Sequence, residues 1–413
     1  MTRLTRRGFT SLAAMAALSA CGGVPAGGGS GPAPAPDPSL RPVPNAGYDQ
    51  WVAAFRSRAA SRGISNTTLD TAFRSAGFLP GVVERDRNQT EFKRSFEDYL
   101  NIVAGEARVT TGREKFRQFG GILSEIANRY GVPPEITCAI WGVESRFGAR
   151  RGDISVISAT STLAYDGRRG DFFEAQLLAA LRILERGDTS ASQLQGSWAG
   201  AMGHTQFIPT TYQAHAVDFR GDGRRDIWSE DPTDALASAA AYLSDSGWRR
   251  GVPWGLEVNA PSGLPVGRGT RRSVSSWASS GVTPARGGSL PALGDAALLR
   301  PDGSTGPAFL VSRNFEVILR YNNSENYALG VGYLASRIAG GPPLSASFGP
   351  DRYGLTVEDR RLLQERLTAR GFDTGGTDGV IGPNTIEAIE AYQASAGLAV
   401  TGEPSQALLN TLR

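Results

Sequence analysis

Pro133-Pro134-Glu135-Ile136-Thr137-Cys138-Ala139-Ile140-Trp141-Gly142-Val143-Glu144-Ser145-Arg146-Phe147-Gly148 reads as a short helix entered through proline and ended by glycine. Gly131 closes the element before it, and a proline suits a first helical turn, where its missing N–H is not needed. On a wheel of about 100° per residue, Ile136, Ile140, Val143 and Phe147 form one apolar stripe, with Glu144 at its rim. A rim carboxylate suits a general acid, because partial burial raises its pKa towards neutrality. The same spacing also describes a plain exposed glutamate at a helix end, and the segment alone favours that reading.

The chain has 413 residues, 40% apolar and 20% charged, which is enough for two or three soluble domains. Its formal charge of +3 comes from Arg3, Arg6 and Arg7, in a segment without acids. The remainder is neutral and gives no electrostatic case for nucleic acid or anionic lipid. These arginines precede a 12-residue apolar run, 9–20, which fits a secretory signal and is too short to span a bilayer. It ends Leu18-Ser19-Ala20-Cys21, similar to a bacterial lipobox in which Cys21 becomes the lipidated first residue. Thr5-Arg6-Arg7-Gly8-Phe9 resembles a twin-arginine signal, so export is of the general secretory or twin-arginine type. The only other cysteine, Cys138, is read as a small core residue. With two histidines, His204 and His215, neither a Cys–His pair nor a His-ligated zinc site is supported.

Residues 21–47, rich in Gly, Pro and Ala, read as a flexible tether. Helical spacing then runs through Trp51, Phe55 and Ala59, through Leu69 and Phe73 after a capping Ser65, and through Phe92, Phe96, Tyr99 and Ile102. It continues over 113–130, 171–184, 233–246 and from 314 to 338, with 150–170 read as a polar connection. Ala297-Leu298-Leu299 and Ala308-Phe309-Leu310-Val311 flank Pro301-Asp302-Gly303, which predicts a hairpin inside a β insertion over 255–312. After a linker at 341–350, a three-helix module opens on a capping-box-like Thr356 and Asp359.

Gly200-Ala201-Met202-Gly203-His204-Thr205-Gln206-Phe207-Ile208-Pro209 is rich in small residues that allow close approach of backbone or ligand. Gln206 suits an acetamido or hydroxyl group, or else is a glutamine satisfied by its own loop. Asp218, Asp222, Asp226 and Asp234 surround a D-x-x-x-D-G rhythm that suggests a calcium loop. As an EF-hand it fails at Arg220, in a ligand position, and at Ser229, where a bidentate glutamate belongs; aspartate-capped turns are the better reading of these residues.

Ala139-Ile140-Trp141-Gly142-Val143-Glu144-Ser145-Arg146-Phe147-Gly148, the Gly200–Pro209 loop and Arg320-Tyr321-Asn322-Asn323-Ser324-Glu325-Asn326-Tyr327-Ala328 together resemble a lytic murein transglycosylase of the membrane-bound B family, over residues 48–340. Residues 351–413 resemble a peptidoglycan-binding module through Leu363-Gln364, Gly371-Phe372, Asp378-Gly379-Val380-Ile381-Gly382 and Tyr392-Gln393. The resemblance implies a mainly α fold: a lysozyme-like helical catalytic domain with a small β insertion, and a C-terminal three-helix module. It implies cleavage of the β-1,4 bond between N-acetylmuramic acid and N-acetylglucosamine, leaving a 1,6-anhydro end, with no cofactor required. Glu144 matches the single catalytic acid/base, Gln206 the groove glutamine, and Tyr321, Asn322 and Tyr327 the cleft lining. Arg168, Arg169 and Phe172 fall where the family binds glycan or peptide, and the aspartate loop where it holds a structural calcium. The expected partner is peptidoglycan, in a periplasm, with the protein held to the outer membrane through Cys21. A lysozyme-type hydrolase using a second carboxylate (Asp153, Asp166 or Asp171) and a non-catalytic wall anchor are the competing readings.

Overall fold

A computed structural model describes residues 37–88, 95–304 and 306–413. The signal-like segment, Cys21 and Phe92 lie outside the described residues. The expected tether ends earlier than its composition suggests. Asp37 pairs with Arg85 at 2.7 Å, and the Val43 N–H bonds to the Phe78 carbonyl at 2.9 Å, so residues from 37 onward lie against the domain.

The Glu144 helix, Pro134–Ser145, is the centre of the molecule. It packs against Glu106–Gln118, Gly120–Tyr130, Thr233–Asp245 and Glu325–Ile338. The expected apolar stripe is therefore too narrow a description: Thr137, Cys138, Ala139, Trp141, Gly142 and Ser145 are buried as well as Ile136 and Ile140. A helix with helices on several sides buries most of its surface, and its small residues allow the close approaches. Burial pushes the Cys138 thiol up to about 12, consistent with an inert core residue.

The main departure from expectation lies at 150–170. The region is a short strand, Ile154–Ser155, followed by a helix, Val156–Asp166, whose residues are buried from Val156 to Ala164. Serines and threonines disguised it, because polar residues in a helix read as a loop. Here each hydroxyl has a partner. Thr160 and Ser161 bond back to the carbonyls of Val156 and Ile157, both at 2.6 Å. Ser158 and Thr162 accept the backbone N–H groups of Gly77 and Leu79, and the Ser161 hydroxyl also meets that of Tyr48. Satisfied this way, polar groups cost little when buried.

The predicted hairpin is the middle of a five-stranded antiparallel sheet. Asp295–Leu299 pairs with Ala308–Val311 in the register Ala297 to Val311 and Leu299 to Phe309, and Gly255–Asn259 pairs on the other side of Ala308–Val311. Alternate residues serve two cores. Ala297, Leu299, Phe309 and Val311 join the main helical core, whereas Ala296, Leu298, Ala308 and Leu310 pack with Trp277 and Val258 on the outer face. A sheet buried on both faces explains why these strands read as continuous apolar runs.

The C-terminal module consists of Val357–Ala369, Pro383–Ser395 and Gln406–Thr411. Its first helix has the full capping box of Thr356 and Asp359, and Leu363, Leu367, Ile389, Leu408 and Leu412 make its core. The segment before it is strapped down: the Ser345 and Ala346 N–H groups bond to the Glu257 carboxylate, and Phe348 packs on Phe96. Arg360, 2% exposed, then spans the junction. It reaches Glu97 at 2.7 Å and Asp98 at 3.0 Å on helix Phe96–Ala104, and Asp351 at 3.0 Å in the module's own leading turn.

Candidate active site

The Glu144 helix does not run to Gly148. It stops at Ser145, and three successive left-handed residues follow: Arg146 (φ 53°), Phe147 (φ 57°) and Gly148 (φ 86°). Two of these carry side chains, which makes the turn costly. Packing explains it. The Phe147 ring enters space left open by Gly112 and Gly142, where an added Cβ would lie 2.9 and 2.5 Å from the ring. The Ser145 hydroxyl braces the turn by accepting the Gly148 N–H and donating to the His204 carbonyl. Gln206, at φ 52°, is the remaining left-handed non-glycine residue among those described. Among the described residues, left-handed non-glycine backbone is thus confined to the two stretches that carry the candidate acid and the candidate groove amide.

Glu144 is half-buried in the last turn, its carboxyl pushed up to about 7 by burial. One group opposes the shift: the Tyr327 hydroxyl donates to Glu144 Oε1 at 2.6 Å. Among the described residues no charged side chain acts on it. The carboxyl is therefore a neutral acid at slightly acid pH, with one hydroxyl ready to steady its anion. Tyr327 is buried in the first turn of Glu325–Ile338, the helix packed against that of Glu144. Tyr321 ends Arg313–Tyr321, donates its hydroxyl to the Thr205 carbonyl at 2.7 Å and packs on Phe207 and Tyr242. Asn322 is buried at the junction of these two helices.

Gln206 joins this group with its donors already used. Its side-chain nitrogen bonds to the Arg151 carbonyl at 3.0 Å and the Gly203 carbonyl at 2.8 Å. Its free amide function towards a ligand is thus the carbonyl oxygen, an acceptor, rather than both donors and acceptor.

Arg168, Arg169 and Phe172 gather elsewhere. Both guanidinium groups close on Asp86, which is 1% exposed, with Arg168 also donating to the Asp86 carbonyl at 2.6 Å. Phe172 packs edge-on against Phe173 beside Leu79, Val82 and Trp198. The two arginines hold Pro80–Arg87 to the end of Val156–Asp166, a bracing role. Of the alternative carboxylates, Asp166 pairs with Arg87 at 2.5 Å, and Asp153 and Asp171 are exposed.

The aspartate loop does not present a cation site. Asp218 accepts the N–H groups of Gly221, Asp222 and Gly223, and Asp222 that of Arg224. Asp226 accepts from Trp228 and Ser229, and Asp234 from Phe219 and Asp226. Arg220 turns outward to Glu125 at 3.1 Å. These are aspartate-capped turns, and no cluster of three acidic, histidine or cysteine side chains among the described residues could hold a metal ion. The four carboxylates therefore do not fit the calcium expected of the loop.

Sequence reasoning missed Asp86, which sits in no motif, and passed over His204. The latter lies inside the quoted loop and contacts the Glu144 helix through Trp141.

Comparison with known proteins places this geometry. A family model described as the transglycosylase SLT domain matches residues 47–336, and one for a peptidoglycan binding domain matches 356–412. Membrane-bound lytic murein transglycosylase B of Escherichia coli (strain K12) is 38% identical over 234 residues, covering 56% of this chain. The chain spans 64% of that relative's length. SltB3 from Pseudomonas aeruginosa, solved in complex with NAG-NAM-pentapeptide, is 47% identical at a TM-score of 0.72, covering 89% of this chain and 100% of its own. The Escherichia coli lytic transglycosylase Slt35, solved in complex with calcium, is 32% identical at a TM-score of 0.61, over 71% of this chain and 93% of its own. The lysozyme-like helical domain, its small sheet and the C-terminal module agree with these relatives. With its larger domain matched along nearly its whole length, the chain belongs to the transglycosylase SLT domain family.

Proposed function

We propose that this protein is a lytic transglycosylase of peptidoglycan, cutting the β-1,4 bond from N-acetylmuramic acid to N-acetylglucosamine and leaving a 1,6-anhydromuramic end. The observation that carries it is a half-buried Glu144 whose carboxyl is raised to about 7 and whose sole partner among the described residues is the neutral Tyr327 hydroxyl. Protonated, Glu144 gives its proton to the glycosidic oxygen, and the bond to the muramic C1 breaks. The N-acetyl carbonyl of the same sugar meets the positive charge at C1, which removes the need for a second carboxylate. Glu144, now an anion held by Tyr327, takes the proton of the 6-hydroxyl as that oxygen closes on C1. The acid is regenerated and no water is consumed. The scheme calls on no cofactor.

The chemistry named for SltB3 supports the substrate class, and the peptidoglycan binding match supports wall retention. The same reading places the protein in the periplasm, exported by its N-terminal signal and held to the outer membrane by lipid on Cys21. Replacing Cys21 by alanine should release it from membranes; continued membrane association would contradict the anchor. Mass spectrometry of digested sacculi tests the reaction. Anhydro-muropeptides are expected, and reducing ends alone would replace this reading with lysozyme-type hydrolysis.

A further inference from the structure

His204 is 3% exposed and touches both halves of the candidate site, yet the proposed reaction does not use it. Its Nδ1 lies 3.0 Å from the Trp141 indole nitrogen, one turn before Glu144. An indole N–H only donates, so Nδ1 carries no proton. A neutral imidazole must then hold its proton on Nε2, which donates to the Ser229 carbonyl at 2.6 Å. The backbone of the same residue accepts the Ser145 hydroxyl at 2.6 Å and donates to the Ile227 carbonyl at 3.0 Å. The ring also fills the space beside Gly148, where an added Cβ would lie 2.6 Å from it. Two residues on stands the left-handed Gln206.

We propose that His204 is a positioning residue that, as its neutral Nε2–H tautomer, sets the Glu144 helix against the Gln206 loop, and that its protonation switches the site off at acid pH. The inference rests on the glycan-cleaving reading of Glu144. A second proton on Nδ1 would face the Trp141 N–H donor to donor and break the link between the two stretches. Glu144 stays protonated as pH falls, so it gives no acid limb of its own.

The groups around the ring set the window. The Arg151 guanidinium lies 3.2 Å from Nε2 and opposes a positive imidazole, while its own partner Glu230, together with Asp226, favours one. The Glu144 helix offers only the uncharged Trp141 at the ring. Burial is the largest influence, and it holds His204 below the usual histidine range.

The test is the pH profile of kcat/KM on soluble glycan strands for wild type and His204→Asn, whose side-chain oxygen can accept from Trp141 without titrating. Wild type should lose activity on the acid side, below the usual histidine value, by about tenfold or more, as expected for a displaced catalytic group. His204→Asn should lack that limb and keep the alkaline one. Persistence of the acid limb in His204→Asn, or its absence from wild type, would overturn the proposal. Any glycan cleavage counts as turnover here, so the outcome is separate from which product forms; unchanged turnover in Glu144→Gln would sink the underlying reading instead. Should the variant fail to fold, ¹⁵N-histidine NMR of wild type, with His215→Gln to assign the second ring, still decides. A protonated Nδ1 on His204 at neutral pH contradicts the tautomer.

Discussion

Asp86 and Glu144 are two carboxylates withdrawn from water within one domain, and they titrate in opposite directions. Burial alone would raise the Asp86 carboxyl, but Arg168 and Arg169 close on it, and its pKa ends below the usual aspartate value. Among the described residues Glu144 receives a single hydroxyl, and burial wins, to about 7. Burial by itself therefore does not make an acid catalyst; withholding cations from a buried carboxyl does. The difference also separates their duties. Asp86 ties two helices together, and Glu144 keeps its proton up to about neutral pH.

Breaking the Glu144 side should have the largest effect. Glu144→Gln removes acid and base together and should lower the cleavage rate by about 10³-fold, read by release of soluble muropeptides. The same substitution should stabilise the fold at alkaline pH. A folded pKa of about 7 against the ordinary 4.5 means that stability present below pH 4.5 is lost as pH rises through 7. Allowing for residual exposure, Glu144→Gln should gain on the order of 2 kcal/mol in urea unfolding at pH 8 and nothing near pH 4. Equal differences at both values would contradict the raised pKa.

Asp86→Asn attacks the other side of the comparison. It should cost about 2 kcal/mol at neutral pH while leaving the pH profile of cleavage unchanged. The sign is opposite to that for Glu144. A depressed pKa gives stability that is present above the unfolded aspartate value and disappears as pH falls through the folded one. Wild type and Asp86→Asn should therefore converge in acid. Tyr327→Phe should have the smallest effect, about tenfold in rate, with the alkaline limb moved upward because the anion has lost its donor. A downward movement would mean that Tyr327 does not act on Glu144 by donating its hydroxyl.

Much of this comparison was open to the sequence on one side only. Periodicity and caps reveal the Phe315 and Tyr327 helices, the Thr356 cap and the Ala297 and Phe309 strands because each is governed by neighbours a few residues away. Glu144 stood out as a carboxylate at the rim of a helix, but its surroundings were misread. The wheel puts it beside a single stripe, whereas Cys138, Ala139 and Gly142 are small enough to admit helices on the remaining faces. The Val156–Asp166 helix was hidden because its hydroxyls are satisfied by Gly77, Leu79 and Tyr48, distant in sequence. Arg168 and Arg169 could be noticed but not placed, since nothing local points to Asp86 as their partner. His204 had a signal, a histidine set among glycines, but its role depends on which ring nitrogen meets Trp141.

The protonation of Glu144 is central, and it can be watched directly. Protein labelled with ¹³C at the glutamate and aspartate carboxyl carbons, titrated alongside Glu144→Gln and Asp86→Asn, isolates both groups by difference. One carboxyl missing from the Glu144→Gln spectra should titrate at about 7, while the one missing from Asp86→Asn should stay ionised well into acid. A Glu144 midpoint at the ordinary glutamate value of 4.5 would contradict the account.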